Sequence, residues 1–109
     1  MIKTDYRLNE VFNLASQIEN GNDDVHFKEL FSNANSSVML VAFKSGQFLA
    51  EHRAPADVMV YVAEGKVDFT LDDKTHEMKK GDFMLMNEGT LHRVLAKTDA
   101  TVMLAKMKP

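Results

Sequence analysis

The sequence predicts an all-β domain of short antiparallel strands, and three observations indicate this fold class. Apolar and polar residues alternate strictly over Lys66–Leu71, as expected for a strand with one buried face. Turn residues, mostly Gly, Asn, Asp and Ser, separate the apolar segments at short intervals. The segments that follow residue 24 lack the helical spacing that a parallel β-α-β unit needs. We therefore predict an antiparallel sandwich or barrel.

The N-terminal part of the chain is its least β-like part. Four apolar residues fit one face of an amphipathic helix: Val11, Leu14, Ala15 and Ile18. The dipeptide Asn20-Gly21 is a helix stop signal. We predict an N-terminal arm over residues 1–24 that contains a short helical turn and ends in the polar loop Asn20–Asp24.

Short segments bounded by turns are predicted as strands along the rest of the chain. These are Val25–Phe31, Ser37–Phe43, Gln47–His52, Val58–Ala63, Lys66–Leu71, Thr75–Lys79, Phe83–Met86, Leu91–Ala96 and Thr101–Met107. Ser37–Phe43 and Thr101–Met107 are apolar on both faces, and such strands must be covered on both sides. A second sheet would cover one face and a partner subunit the other, which predicts a homodimer.

Composition limits the classes of function. The 109 residues are enough for one domain, residues 1–109, with a core of its own. A net charge of −3 gives no basic surface for nucleic acid. The chain has no cysteine, which excludes disulfides and zinc-cysteine sites. It shows no signal-peptide pattern and no apolar run of membrane-spanning length, so we expect no membrane partner and a cytoplasmic location.

A first motif runs from Gly46 to Gly65 and resembles the first motif of the cupin superfamily of small β-barrels. That family motif reads Gly, five residues, His-x-His, three residues, Glu, six residues, Gly. Gly46, His52 and Gly65 match it. Ala54 stands at the second histidine position and Val58 at the glutamate position. The resemblance therefore implies a metal site from which two ligands are missing.

A second motif runs from Gly81 to Ala96 and resembles the second cupin motif. That motif reads Gly, five residues, Pro-x-Gly, two residues, His, three residues, Asn. Gly81, Gly89 and His92 match, whereas Asn87 replaces the proline and Ala96 the asparagine. The resemblance covers residues 37–107 and is nearest to the small single-domain cupins of the conserved-barrel type. It implies a jelly-roll-like barrel, also described as a double-stranded β-helix.

The resemblance also implies that the two histidines face the barrel interior. A period of two would place Phe48 and Ala50 on the same face as His52, and Val94 on the same face as His92. The predicted pocket residues are His52, Ala54, Val58, His92, Phe48 and Val94. Imidazole suits Zn, Fe, Cu and Ni, so His52 and His92 are candidate metal ligands. The expected cofactor is a weakly bound divalent metal: Fe, Mn, Zn, Ni or Cu. Asp57 is a further candidate if a bulge near Pro55 turns it inward.

Three functions from different classes follow from these features. The first is binding of a small, mainly apolar molecule in the barrel, with a degenerate metal site. The second is a metal-dependent oxygenase or isomerase that uses His52 and His92. The third is a structural or interaction module whose dimer surface is its function. Loss of activity on replacing either histidine would favour the second, whereas a filled barrel would favour the third.

Overall fold

The computed structural model describes residues 1–21 and 23–108, and it is built almost entirely from β-strands. The strands are β1 His26–Ser32, β2 Ser36–Phe43, β3 Phe48–Arg53, β4 Asp57–Glu64, β5 Lys66–Leu71, β6 Lys74–Lys79, β7 Phe83–Met86, β8 Leu91–Ala96 and β9 Ala100–Met107. Each lies within one residue of the corresponding predicted strand. The all-β prediction is confirmed.

The strands form two antiparallel sheets. One has five strands in the order β1-β2-β9-β4-β7, and the other has four in the order β3-β8-β5-β6. Every strand pairing is antiparallel. The two motif strands that carry the histidines, β3 and β8, are direct neighbours in the four-stranded sheet.

The hydrophobic core brings together the inward-facing residues of both sheets. Its most fully buried members include Val41, Phe43, Val60, Val62, Val67 and Val102. Val67 and Phe69 of β5 are both buried, as their strict alternation predicts. Burying a side chain of this size contributes roughly 1.5–3 kcal/mol.

The N-terminal arm contains a short helical turn, as its spacing predicts. The helical part is one 3-10 turn at Ala15–Gln17, and Val11 is fully exposed. Backbone hydrogen bonds between Lys3 and Ser32 attach the arm to β1, and the Asn20 amide donates to the Phe43 carbonyl oxygen at 2.7 Å. Tertiary contacts with the sheet therefore organise the arm. The predicted loop Asn20–Asp24 includes Asn22, which lies outside the described residues.

Candidate functional site

A cavity of about 50 Å³ lies between the two sheets. The five-stranded sheet lines it with apolar residues, namely Val41, Phe43, Val58, Met86, Val102 and Leu104. Leu49, Phe69 and Val94 line it from the four-stranded sheet, together with Pro55 from the loop after β3. The polar residues of the lining are His52, His92 and Lys106. The cavity is thus an apolar pocket with three nitrogen-bearing side chains.

The two histidines are brought together by strand pairing. His52 on β3 and His92 on β8 are cross-strand partners, and their ring centroids lie 4.1 Å apart with an angle of 59° between the planes. His92 also stacks on Phe69, with centroids 6.2 Å apart. His92 is buried, at 6% exposure, whereas His52 is exposed. One imidazole is therefore enclosed, and the other lies on the solvent side of the cavity.

A β-bulge in β3 corrects the predicted pocket lining. The register pairs Leu49 with Val94 and His52 with His92, so two residues of β3 oppose one residue of β8. The extra residue reverses the alternation, and both Leu49 and His52 face inward. Phe48 lies outside the cavity and is 64% exposed, contrary to the prediction from an uninterrupted period of two. On β3, Leu49 takes the place in the pocket lining that the alternation assigned to Phe48.

Hydrogen bonds define the tautomers of the two imidazoles. The His52 Nδ1 lies 2.9 Å from the Ala50 carbonyl oxygen, and the His92 Nδ1 lies 3.0 Å from the Thr90 carbonyl oxygen. Because a carbonyl oxygen can only accept, each Nδ1 carries a proton and donates it. When a ring with this tautomer is neutral, its Nε2 atom carries a lone pair and accepts hydrogen bonds.

Burial also sets the charge state of His92. Loss of solvation lowers the pKa of His92 from its usual 6.5; the nearby charges of His52 and Lys106 lower this pKa further, while the hydrogen bond to Thr90 opposes the change. A buried imidazole is harder to protonate because the charged form loses its hydration. His92 is therefore neutral at pH 7 and above.

Lys106 is a cavity residue that sequence reasoning missed. It lies on β9 opposite Val58, the position at which the cupin motif has its glutamate. Lys106 follows Val102 and Leu104 at intervals of two, and all three line the cavity. This alternation along β9 is a signal in the sequence that could have placed Lys106 on the inner face.

The carboxylates near the motif lie outside the cavity. Asp57 Oδ1 accepts a hydrogen bond from the Glu88 backbone amide at 2.8 Å, and Glu51 forms an ion pair with Arg93 at 3.6 Å. The bulge falls within β3 and not near Pro55, so Asp57 keeps its outward orientation, and the structure gives no support to it as a metal ligand.

The remaining predicted pocket residues have different positions. Val58, His92 and Val94 line the cavity together with His52. Ala54 is buried in the core but does not line the cavity. Its backbone instead exchanges hydrogen bonds with the loop that precedes β8, from its amide to the Thr90 carbonyl oxygen and from the Gly89 amide to its carbonyl oxygen.

The donor set is short of what a metal centre needs. Among the described residues, no group of three or more His, Cys, Asp or Glu side chains is arranged to hold a metal ion. No acidic residue lines the cavity in the part of the chain that the structure describes. Catalytic zinc sites use three protein ligands, and the non-haem iron facial triad includes a carboxylate. Two histidines and a lysine in an otherwise apolar lining do not fit a resident divalent cation.

Two antiparallel sheets thus enclose an apolar pocket, and two histidines are paired on neighbouring strands at that pocket. Residues 39–105 match the family model described as "Cupin domain". The chain therefore belongs to the cupin family, which confirms the resemblance.

Solved structures with the same fold cover almost the whole chain. A conserved protein of unknown function from Streptococcus pyogenes aligns with a TM-score of 0.87 and 22% identity, over 95% of this chain and 91% of that one. A cupin superfamily protein from Desulfitobacterium hafniense aligns with a TM-score of 0.87 and 18% identity, over 94% of both chains. At these identities the likeness establishes the fold alone.

A higher identity is found with part of a longer protein. A cupin 2 conserved barrel domain protein from Leptotrichia buccalis is 30% identical, with a TM-score of 0.83, over 89% of this chain and 47% of that one. No curated protein matches this sequence. Within the described residues, no helix has the length and apolar character needed to cross a membrane.

Proposed function

We propose that this cupin binds a small molecule in the cavity between its sheets, without a resident metal. One observation carries the proposal: among the described residues, the cavity lining is apolar except for His52, His92 and Lys106. An apolar pocket with a few converging polar groups is the usual form of a small-molecule site. Apolar walls would supply binding free energy, and the polar groups would orient the ligand.

Ligand screening by NMR tests this proposal. The probes are small fragments of neutral, anionic and cationic type, each added to isotopically labelled protein. We expect resonances of cavity residues, such as Leu49 and Val94, to shift on binding. The variants Val58→Met and Val94→Met partly fill the cavity and should weaken that binding, while their unfolding midpoints report whether the fold is intact. Binding that these variants leave unchanged, or no binding by any fragment, would contradict the proposal.

A metal-dependent enzyme is the second candidate function, and one observation favours it. Both Nδ1 atoms donate to backbone carbonyl oxygens, which is the arrangement that orients metal-binding histidines. Lys106 and the lack of an acidic lining residue count against it.

Metal content separates the two candidates. We expect the purified protein to hold far less than one equivalent of Fe, Mn, Zn, Ni or Cu after incubation with each ion. Near-stoichiometric metal that is lost in both His52→Ala and His92→Ala would refute the metal-free proposal. It would instead justify a screen for oxygenase and isomerase activity.

A further inference from the structure

The cavity lining combines a lysine, Lys106, with two histidines whose Nδ1 atoms donate to backbone carbonyl oxygens. An ammonium group has three N–H donors and no acceptor, whereas the Nε2 of a neutral imidazole with a protonated Nδ1 only accepts. We infer that the cavity binds a short-chain hydroxycarboxylate, whose carboxylate pairs with Lys106 and whose hydroxyl donates to the Nε2 of His52 or His92. This inference rests on the proposed function and specifies its ligand class.

The position of Lys106 favours binding of an anion. Its side chain is half-buried on the inner face of β9, between cross-strand partners Val58 and Ser37. Within residues 1–21 and 23–108, no carboxylate lies at ion-pair distance from its Nζ atom. A charge that is partly removed from water and left unpaired is costly. A bound carboxylate supplies the missing counter-charge.

The Nε2 atoms of the two imidazoles favour a ligand that donates a hydrogen bond. The backbone carbonyl oxygens of Ala50 and Thr90 engage the two Nδ1 atoms, which directs the Nε2 lone pairs of His52 and His92 to other partners. A carboxylate cannot satisfy these lone pairs because both groups accept. A hydroxyl can, and the same ligand then satisfies Lys106 and an imidazole together.

The size and shape of the cavity set the length of the ligand. A volume of about 50 Å³ holds roughly four water-sized groups, so the enclosed part of the ligand is small. Lys106 and Pro55 also line an adjoining groove that contains Ser36, Ser37 and Lys108. Glycolate is close to this size, and a longer ligand such as lactate would extend into this groove.

NMR titration at pH 7.5 with matched ligands tests the inference. Glycolate carries both groups, acetate lacks the hydroxyl, and glycolamide lacks the charge. We expect glycolate to bind at least about tenfold more tightly than either, because each hydrogen bond that involves a charged or buried partner is worth about that factor. This comparison uses the unmodified protein, so it does not depend on whether any variant folds.

Variants assign the two preferences to residues. Lys106→Met should abolish the preference for glycolate over glycolamide, and Lys106→Arg should retain it. Lys74→Met is the control because it removes the same charge from the exposed end of β6, outside the cavity lining. His52→Ala and His92→Ala should reduce the preference for glycolate over acetate.

Each outcome decides between the inference and the function on which it rests. Equal binding of glycolate and glycolamide, or of glycolate and acetate, would overturn the inference and leave small-molecule binding standing. The same holds if glycolate does not bind but neutral fragments shift the cavity resonances. If neither glycolate nor any fragment binds there, both proposals fail.

Discussion

His92 is the most enclosed ionisable residue of the cavity, and its surroundings connect stability to pH. The titratable groups that face it are His52 from β3 and Lys106 from β9, while β5 presents the Phe69 ring. Burial and both neighbours lower the pKa of His92. The folded state therefore resists protonation of a ring that the unfolded state protonates readily.

We expect the free energy of unfolding to decrease as pH falls below about 6.5. The unfolded chain binds a proton at His92 before the folded chain does, so acidification favours unfolding, with a slope of at most about 1.4 kcal/mol per pH unit from this residue. Urea unfolding between pH 7.5 and 5 measures it. The His92→Gln variant should show a shallower dependence in that range, and an identical dependence in variant and parent would contradict the assignment.

Removal of the Lys106 charge should change the pKa of His92. Because the ammonium group lowers the pKa of His92, Lys106→Met should raise this pKa, and Lys74→Met should leave it unchanged. NMR titration of the His92 ring protons measures the shift. A His92 pKa that is equal in Lys106→Met and in the parent protein would show that the two groups do not interact.

The turn that joins β4 to β5 depends on one glycine. Gly65 has φ of +79°, and a Cβ there would collide with the Asp99 carbonyl oxygen and would lie 2.8 Å from Thr98 Oγ1. Gly81 also has a positive φ, of +95°, but a Cβ there would meet open space. Comparing substitutions at the two glycines therefore distinguishes the effect of backbone strain from the effect of steric collision.

Substitution of these glycines should have unequal effects. Gly81→Ala pays only for the left-handed backbone, about 1–2 kcal/mol, whereas Gly65→Ala should cost about 3 kcal/mol or more because the turn against β9 must also move. Urea unfolding of both variants gives the comparison. An equal decrease in the free energy of unfolding in both variants would show that the turn at Gly65 accommodates a Cβ without further cost.

At the scale of the whole molecule, one outer surface is unusually apolar. It lies on the outer side of the five-stranded sheet, where the register places Met59, Tyr61, Phe83, Leu85, Met103 and Ala105 on one face. Phe83 is 61% exposed and Leu85 is 70% exposed. Leu40 and Ala42 lie on the same outer face, on β2, but both are fully buried. The solvent-exposed part of this outer face is therefore the part nearer β7. Contiguous apolar surface of this kind is typical of an interface.

We propose that a second copy of the chain covers this outer face, as the two-sided apolarity of Thr101–Met107 predicts. A homodimer would be weakened by Phe83→Ser or Leu85→Ser, because each removes exposed apolar area from the contact. Phe48→Ser is the matched control, since Phe48 is about as exposed but lies on the other sheet. Sedimentation over a range of concentrations measures the effect. A parent protein that stays monomeric at high concentration would refute the proposal.

The strands and the barrel fold could be predicted from the sequence, because their signals are local. Alternation over Lys66–Leu71, the turn glycines and the apolar strands define the elements. The motif spacing of His52 and His92 identified the cupin fold, and these residues are indeed paired across two neighbouring strands.

The lining of the cavity depended on the tertiary structure, because it results from pairing between distant segments. One extra residue in β3 exchanges Phe48 for Leu49 at the pocket, and no local pattern marks that bulge. Alternation along β9 is compatible with an inward Lys106, but the pairing of β9 with β4 opposite Val58 decides that Lys106 lies at the site of the two histidines. Local periodicity determines that a residue belongs to a strand, whereas the register between strands determines which residues share a cavity and therefore its charge.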